Sequence, residues 1–159
     1  QLVHGNKSTG LIKSLLRNGA MIEGWAVYSE RMMLEAGWGN QQPEMWLMYG
    51  KWNLRVVTNA IMDYAVHVLG MTQEQAMDMM LREAFQEQTE AENKWRRIKL
   101  SQVQLTSYFT GYAEIYDFRE RLKQQQGSAF DLKTFHNTFL SFGNAPVPAI
   151  INLMEDQPL

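Results

Sequence analysis

The segment SYFTGYAEIYDFRER (Ser107–Arg121) has the pattern of a long helix that contains one glycine. Tyr108, Tyr112 and Tyr116 recur every four residues and therefore share one helical face. A glycine inside a helix costs about 1 kcal/mol relative to alanine, so we expect another element to approach closely at Gly111. The tyrosines allow two interpretations. They pack against a neighbouring helix, or one hydroxyl points into a site and donates to a developing oxyanion.

A second helical segment, EGWAVYSE (Glu23–Glu30), places two carboxylates on one helical stripe. Seven residues make almost two turns, so Glu23 and Glu30 lie on the same face with small apolar residues between them. One interpretation is a partly exposed helix whose acids pair with Arg31 or with lysines. The other is a buried carboxylate held by a metal or by hydrogen bonds, because burying an unpaired charge is prohibitive.

Turn, proline and capping signals divide the rest of the chain into helices. Thr72–Gln75 has the form of a capping box, Gly127 is suited to a left-handed helix end, and Asp131 can cap the helix that follows. No segment alternates apolar and polar residues over strand length, and no hairpin signal is present. We predict a single all-α domain of six to eight helices, over about Ser8–Arg17, Ala20–Ala36, Pro43–Leu69, Thr72–Phe85, Gln86–Leu100, Gln104–Gly127, Asp131–Gly143 and Pro148–Met154.

The composition excludes several classes of protein. With 159 residues, 45% of them hydrophobic, and a net charge of −2, the chain suits one globular domain and gives no reason to expect nucleic acid as a partner. The absence of cysteine excludes disulfides and thiolate metal sites. No apolar run reaches the roughly 18 residues that a membrane span needs. The chain begins at Gln1 without a signal-peptide pattern, so we expect it to be a piece of a longer protein.

The remaining chemical motifs are weak. His4, His67 and His136 never have the i, i+4 spacing of a helical zinc site, so this chain alone does not assemble a two-histidine, one-carboxylate site. We interpret His67 and His136 as packing residues. There is no G-x-S-x-G elbow and no glycine-rich phosphate loop. The eleven methionines favour core filling over an adaptable binding surface.

Four ordered segments resemble the C-terminal part of a bacterial family. They are EGWAVYSERM, VHVLGMTQEQA, SYFTGYAEIYDFRER and FHNTFLSFGNAPVPAII, and the resemblance covers nearly the whole chain. The family is domain of unknown function 885, which is similar to gluzincin-type zinc metallopeptidases. Its members carry an H-E-x-x-P-G-H motif followed closely by glutamine. Gln1 would match that glutamine, so the two histidine ligands and the general-base glutamate would lie before residue 1.

The resemblance implies roles for five residues of this chain. Glu23 would be the carboxylate zinc ligand, and Glu30 would orient a ligand histidine through its second ring nitrogen. Tyr108 would donate a hydrogen bond to the oxyanion, and Arg55 or Arg119 would bind a substrate carboxylate. We expect Tyr112 and Tyr116 to be packing residues with hydroxyls nearer the surface.

The function that the resemblance implies is that of a C-terminal helical part of a zinc-dependent peptidase. The partners would be a peptide or peptide-like substrate and the N-terminal remainder of the parent chain, in the periplasm or cell envelope. The zinc would be held in the intact parent only, so the fragment alone would be inactive. Two alternatives stay open: a non-catalytic helical binding or scaffolding module, and a zinc hydrolase of a non-peptide amide or ester.

Overall fold

The computed structural model describes residues 10–156, which form eight α-helices and no strand, so the all-α prediction is confirmed. Ser8, Thr9 and His4 lie outside the described residues. None of the helices in residues 10–156 is long and apolar enough to cross a membrane. The helices are α1 (Leu11–Leu15), α2 (Gly19–Glu35), α3 (Pro43–Val68), α4 (Gln73–Asp78), α5 (Gln88–Ile98), α6 (Thr106–Gln126), α7 (Leu132–Ser141) and α8 (Val147–Glu155).

Helices α2 and α6 touch backbone to backbone at two glycines. A Cβ atom built on Gly24 would lie 2.3 Å from the carbonyl carbon of Gly111, and one built on Gly111 would lie 1.9 Å from the carbonyl oxygen of Ala20. Neither position has room for any side chain. The close approach expected at Gly111 is therefore confirmed, and the element that approaches is the backbone of α2.

Two hydrophobic cores form around these helices. The larger one joins α2, α6, α7 and α8, and the smaller one joins α3 to α4, α5 and the start of α6. The larger core contains Met21, Val27, Tyr28, Tyr112, Ile115, Phe118, Phe135, Phe139, Ala145, Val147, Ile150 and Met154. The smaller core contains Met62, Ala76, Met80, Ala91, Trp95, Ile98 and Leu105.

A buried carboxylate fixes the beginning of α6 against α3. Asp63 accepts hydrogen bonds from the backbone N–H groups of Val103, at 3.2 Å, and Thr106, at 3.0 Å. The Thr106 hydroxyl donates a third bond at 3.0 Å. A carboxylate at a helix N-terminus satisfies free N–H groups and complements the helix dipole. This contact between distant segments therefore sets where α6 starts.

Local signals predicted most helix ends correctly. Thr72 and Gln75 form the predicted capping box, and Asp131 caps α7 as predicted. Asn18 caps α2, which was not predicted, and its side chain accepts a bond from the Met21 N–H at 2.8 Å. The predicted helix Thr72–Phe85 is only partly α-helical. After Asp78 the chain continues as a π-helical turn, Met79–Glu83, and leaves the helix with Phe85 at a φ of 51°.

The glycine contact gives a stability prediction. Gly111→Ala should lower the free energy of unfolding by about 3 kcal/mol or more, because the new methyl group meets backbone atoms that have no freedom to move. Gly50→Ala is the matched control. Gly50 also lies inside a helix, α3, but nothing lies within 4 Å of the place that its new methyl group would occupy, so the substitution should add about 1 kcal/mol. Urea unfolding followed by circular dichroism measures both. Equal stability of the two variants would refute the close-contact explanation.

Candidate functional site

A cleft between α2 and α3 contains two adjoining cavities that share Ala26, Glu30 and Trp52. The first, the apolar groove, has a volume of about 580 Å³ and is lined by Ala26, Ser29, Glu30, Met33, Leu34, Trp38, Met45, Met48, Tyr49 and Trp52. The second, the basic pocket, has a volume of about 240 Å³ and is lined by Ala26, Val27, Glu30, Trp52, Arg55, Val56, Asn59, Lys94, Arg97, Leu105 and Tyr108. Apolar walls with a few convergent polar groups are typical of ligand sites.

The basic pocket brings together residues from four helices. Glu30 from α2, Arg55 from α3 and Tyr108 from α6 were all candidates from the sequence, and all three line it. Lys94 and Arg97 from α5 line it as well and were not predicted. Glu23, the predicted zinc ligand, is not among its lining residues. It lies two turns before Glu30 on α2, with its side chain partly buried.

Lys94 is a buried lysine in the wall of the basic pocket. It is 8% exposed and makes no hydrogen bond or ion pair with any residue of the described range. Burial, and then repulsion from Arg55 and Arg97, lowers the pKa of Lys94 to about 8, although Glu90 attracts the charge. Lysine is almost never fully buried unless it is paired. The unpaired ammonium is therefore the least expected group in the pocket.

The two arginines at the rim are held in position by their own contacts. Arg55 forms an ion pair with Glu90 and lies over the Trp52 ring, 4.8 Å from the ring centroid. Arg97 donates a hydrogen bond of 2.7 Å to Gln104 Oε1. Both guanidinium groups still carry N–H donors beyond these contacts, because each has five. They add positive charge to the pocket without neutralising Lys94.

Two uncharged polar groups complete the pocket. Asn59 is 8% exposed, and its Oδ1 atom is buried without a hydrogen-bond donor among the described residues. The Tyr108 hydroxyl accepts a long bond of 3.4 Å from Gln104 Nε2. Its own O–H donates to no residue in the part of the chain that is described. The pocket thus offers a free acceptor and a free donor.

The two carboxylates of the α2 stripe, Glu23 and Glu30, have no cationic partner among the described residues. Neither Glu23 nor Glu30 forms a hydrogen bond or an ion pair with the described residues. Glu30 stands exposed at the edge that the two cavities share, and desolvation by its neighbours raises the pKa of its carboxyl group. Arg31, considered from the sequence as a partner for these acids, instead forms an ion pair of 2.9 Å with Glu35.

Arg31 also explains the two tyrosines that follow Tyr108. It donates hydrogen bonds of 2.8 Å to the hydroxyls of Tyr112 and Tyr116. Tyr112 is only 7% exposed, so the expectation of a hydroxyl near the surface is wrong for this residue. The glycine contact holds α2 against α6, so that Arg31 binds both hydroxyls and lies over the Tyr116 ring, 4.1 Å from its centroid.

Arg119 lies in the same charged network and away from the basic pocket. It is 4% exposed and forms ion pairs of 2.7 Å with Glu35 and with Glu120. Burial by itself would raise the pKa of Glu35, but Arg119 and Arg31 outweigh that effect and lower it. With two carboxylates already bound, the Arg119 guanidinium is engaged in structural contacts.

His67 and His136 take part in packing, as we interpreted them. His136 Nε2 and the hydroxyl of buried Tyr28 are 2.7 Å apart, and His67 Nε2 lies 2.9 Å from the Ile98 carbonyl oxygen. The methionines have three kinds of surroundings, and Met32, Met71, Met77 and Met79 are partly buried against the two cores. Met21, Met62, Met80 and Met154 are core residues as expected, whereas Met33, Met45 and Met48 line the apolar groove, where core filling was the wrong interpretation.

These features define an all-α protein with a cation-lined cleft. The chain belongs to the family of bacterial proteins of unknown function DUF885, whose model matches residues 1–154. It is similar to a protein described as a "putative lipoprotein of unknown function" from Shewanella oneidensis, with 66% identity over 97% of this chain and a TM-score of 0.92. It is also similar to a "putative lipoprotein" from Colwellia psychrerythraea, with 25% identity over 99% of this chain and a TM-score of 0.91.

The chain spans only part of these relatives. It covers 28% of the Shewanella oneidensis chain and 27% of the Colwellia psychrerythraea chain. No curated protein matches it. The activity, substrates and partners of the whole protein are therefore proposals.

Because burial lowers the pKa of Lys94, the free energy of unfolding should depend on pH between about 8 and 10.5. Lys94→Met should raise the free energy of unfolding near neutral pH by roughly 1–3 kcal/mol, because it removes a buried charge. The gain should shrink as the pH rises from about 8 towards 10.5. In that window the unfolded chain still binds a proton that the folded chain has lost, so the native protein itself becomes more stable.

Thermal unfolding at several pH values tests this expectation. Lys133→Met is the control, because Lys133 is an exposed lysine outside both cavities. The control should change the melting temperature little at any pH. A Lys94→Met protein that melts below the native chain near neutral pH would show that the ammonium is stabilised in the fold.

Proposed function

We propose that this chain forms one wall of the active site of a zinc-dependent peptidase, whose remaining parts come from a longer parent chain. One observation carries the proposal. Three of the five residues to which the family resemblance gives roles line the same pocket, although they belong to three different helices: Glu30, Arg55 and Tyr108. Glu23 and Arg119 do not line it. Residues selected at random from different helices would rarely line the same pocket.

The carboxylates of α2 suit a shared metal site. Residues 10–156 contain no group of three or more histidine, cysteine, aspartate or glutamate side chains that could hold a metal ion, so a complete ligand set needs residues from elsewhere. Glu23 would supply one carboxylate, and its lack of any cationic partner among the described residues leaves its oxygens available. Glu30, further along the same stripe, would accept a hydrogen bond from a ligand histidine. Bound zinc would polarise a water molecule and the substrate carbonyl.

The residues of this chain would bind the substrate and stabilise developing charge. Tyr108 would donate its unused O–H to the carbonyl oxygen as negative charge accumulates there. Arg55, held by Glu90 and Trp52, would contact the substrate from α3. The apolar groove, with its tryptophan and methionine side chains, would accept the apolar side chains of a peptide.

The relatives suggest where the parent protein works. Both solved relatives are described as putative lipoproteins, so we place the parent at the cell envelope. A peptidase there would meet peptides or peptide-like polymers of the envelope. A non-catalytic binding module and a zinc hydrolase of other amides or esters are the alternatives, and the zinc content and the peptide turnover of the parent separate them from the peptidase.

Metal content tests the role of Glu23. In the purified parent protein, Glu23→Ala should abolish tight zinc binding, because it removes a ligand. Glu30→Ala should weaken zinc binding by only about 10–100-fold, since it removes an orienting partner. Glu44→Ala, an exposed acid in the first turn of α3, should leave the zinc content unchanged. Full zinc occupancy in the Glu23→Ala parent would refute the ligand assignment, and no zinc in the native parent would favour the binding module.

Substitution of Tyr108 tests whether this residue is catalytic or serves only in packing. Tyr108→Phe keeps the ring, so the melting temperature should change little, but turnover of peptides by the parent should fall by roughly 10²–10³-fold, the usual cost of one oxyanion donor. Tyr64→Phe is the matched control, because Tyr64 is 57% exposed on α3. Peptide cleavage followed by mass spectrometry gives the rates. Unchanged turnover in Tyr108→Phe would leave this residue with a packing role only.

A further inference from the structure

We infer that the basic pocket binds a single carboxylate group, with Lys94 as the central cation and Arg55 and Arg97 beside it. Together with the proposed peptidase function, on which this assignment of the ligand rests, the carboxylate is the free C-terminus of a peptide. The parent would therefore act at or near the C-terminal ends of its substrates.

The first argument is the contrast between Lys94 and the other buried charges. Asp63 accepts three hydrogen bonds, and Arg119 forms ion pairs with two carboxylates. Lys94 is nearly as deeply buried as these groups but forms no hydrogen bond or ion pair with residues 10–156. Lys94 is desolvated in the pocket wall and attracted only by Glu90, whose carboxylate already pairs with Arg55, so an acceptor that arrives with a ligand explains why the lysine is there.

The second argument is the charge of the pocket. Arg55, Lys94 and Arg97 contribute three positive charges, whereas Glu30 at the edge and Glu90, paired with Arg55, contribute two negative charges. One positive charge remains. A carboxylate, with one negative charge, neutralises it, whereas a phosphate dianion would leave an excess of negative charge beside Glu30.

The third argument is the free acceptor next to the cations. Asn59 Oδ1 is buried without a donor among the described residues and lines the same pocket as Lys94. The last residue of a peptide carries a carboxylate and an amide N–H two bonds apart, so it can satisfy both groups together. The apolar groove shares Ala26, Glu30 and Trp52 with the pocket and can receive the preceding residues.

A binding comparison in the intact parent protein tests the inference. The probes are the dipeptide N-acetyl-Ala-Ala, its C-terminal amide and inorganic phosphate, measured by isothermal titration calorimetry. The native parent should bind the acid at least about tenfold more tightly than the amide. Lys94→Met should abolish this preference, and Lys94→Arg should restore most of it. Lys133→Met, outside the pocket, should behave as the native protein.

Three outcomes would overturn the inference. They are equal affinity for acid and amide in the native parent, a preference that survives in Lys94→Met, and phosphate that displaces the acid dipeptide at lower concentration than a second carboxylate does. Loss of folding does not confuse the result, because Lys94→Met is expected to be the more stable protein at neutral pH. A native melting curve for each variant checks this.

The test also separates this inference from the proposed function. If the parent cleaves no peptide but prefers the acid through Lys94, the carboxylate site stands and the peptidase proposal fails. If the parent cleaves peptides and their amides equally well, the peptidase proposal stands and the carboxylate site fails.

Discussion

The contact between the backbones of Gly24 and Gly111 is the constraint on which the rest of the structure depends. Two helices approach this closely only where neither carries a side chain, so the contact fixes both the distance and the register of α2 and α6. Val27 and Glu30 follow Gly24 by about one and two turns, and Tyr108 precedes Gly111 by one turn. The same contact that organises the larger core therefore places Tyr108 at the pocket that Glu30 borders.

Two regions near this contact contain buried charged groups, and they differ in whether those groups are paired. In the network around Arg119 and Glu35, each group meets an opposite charge, and the network joins the C-terminal parts of α2 and α6. In the basic pocket, Lys94 and the Asn59 oxygen are left without partners among the described residues. Groups that violate the local rules of burial concentrate at functional sites, because a ligand supplies the missing interaction. The first region is therefore structural, and the second is the place to look for a ligand.

Features that depend on a few neighbouring residues could be predicted from the sequence, whereas most features that depend on tertiary contacts could not. Caps at Thr72 and Asp131 and the need for close packing at Gly111 were predictable, because each depends on a few neighbouring residues. The π-helical turn after Asp78 carried no recognisable local signal. Lys94 had a signal that was missed. Ala91, Trp95 and Ile98 form the apolar stripe of a very polar helix, and Lys94 falls on that stripe.

The two carboxylates on α2 also have different surroundings, and this difference is visible only in the three-dimensional structure. Glu23 and Glu30 are equivalent in the helical pattern, but Glu30 borders both cavities and has a raised pKa, whereas Glu23 borders neither. A carboxyl group with a raised pKa at the edge of a cleft is suited to exchanging protons or hydrogen bonds with a neighbouring group. Glu23 is partly exposed and lies outside both cavities, so another part of the protein can reach its carboxylate. The two acids therefore differ in their surroundings, because the cavities between α2 and α3 reach Glu30 and not Glu23.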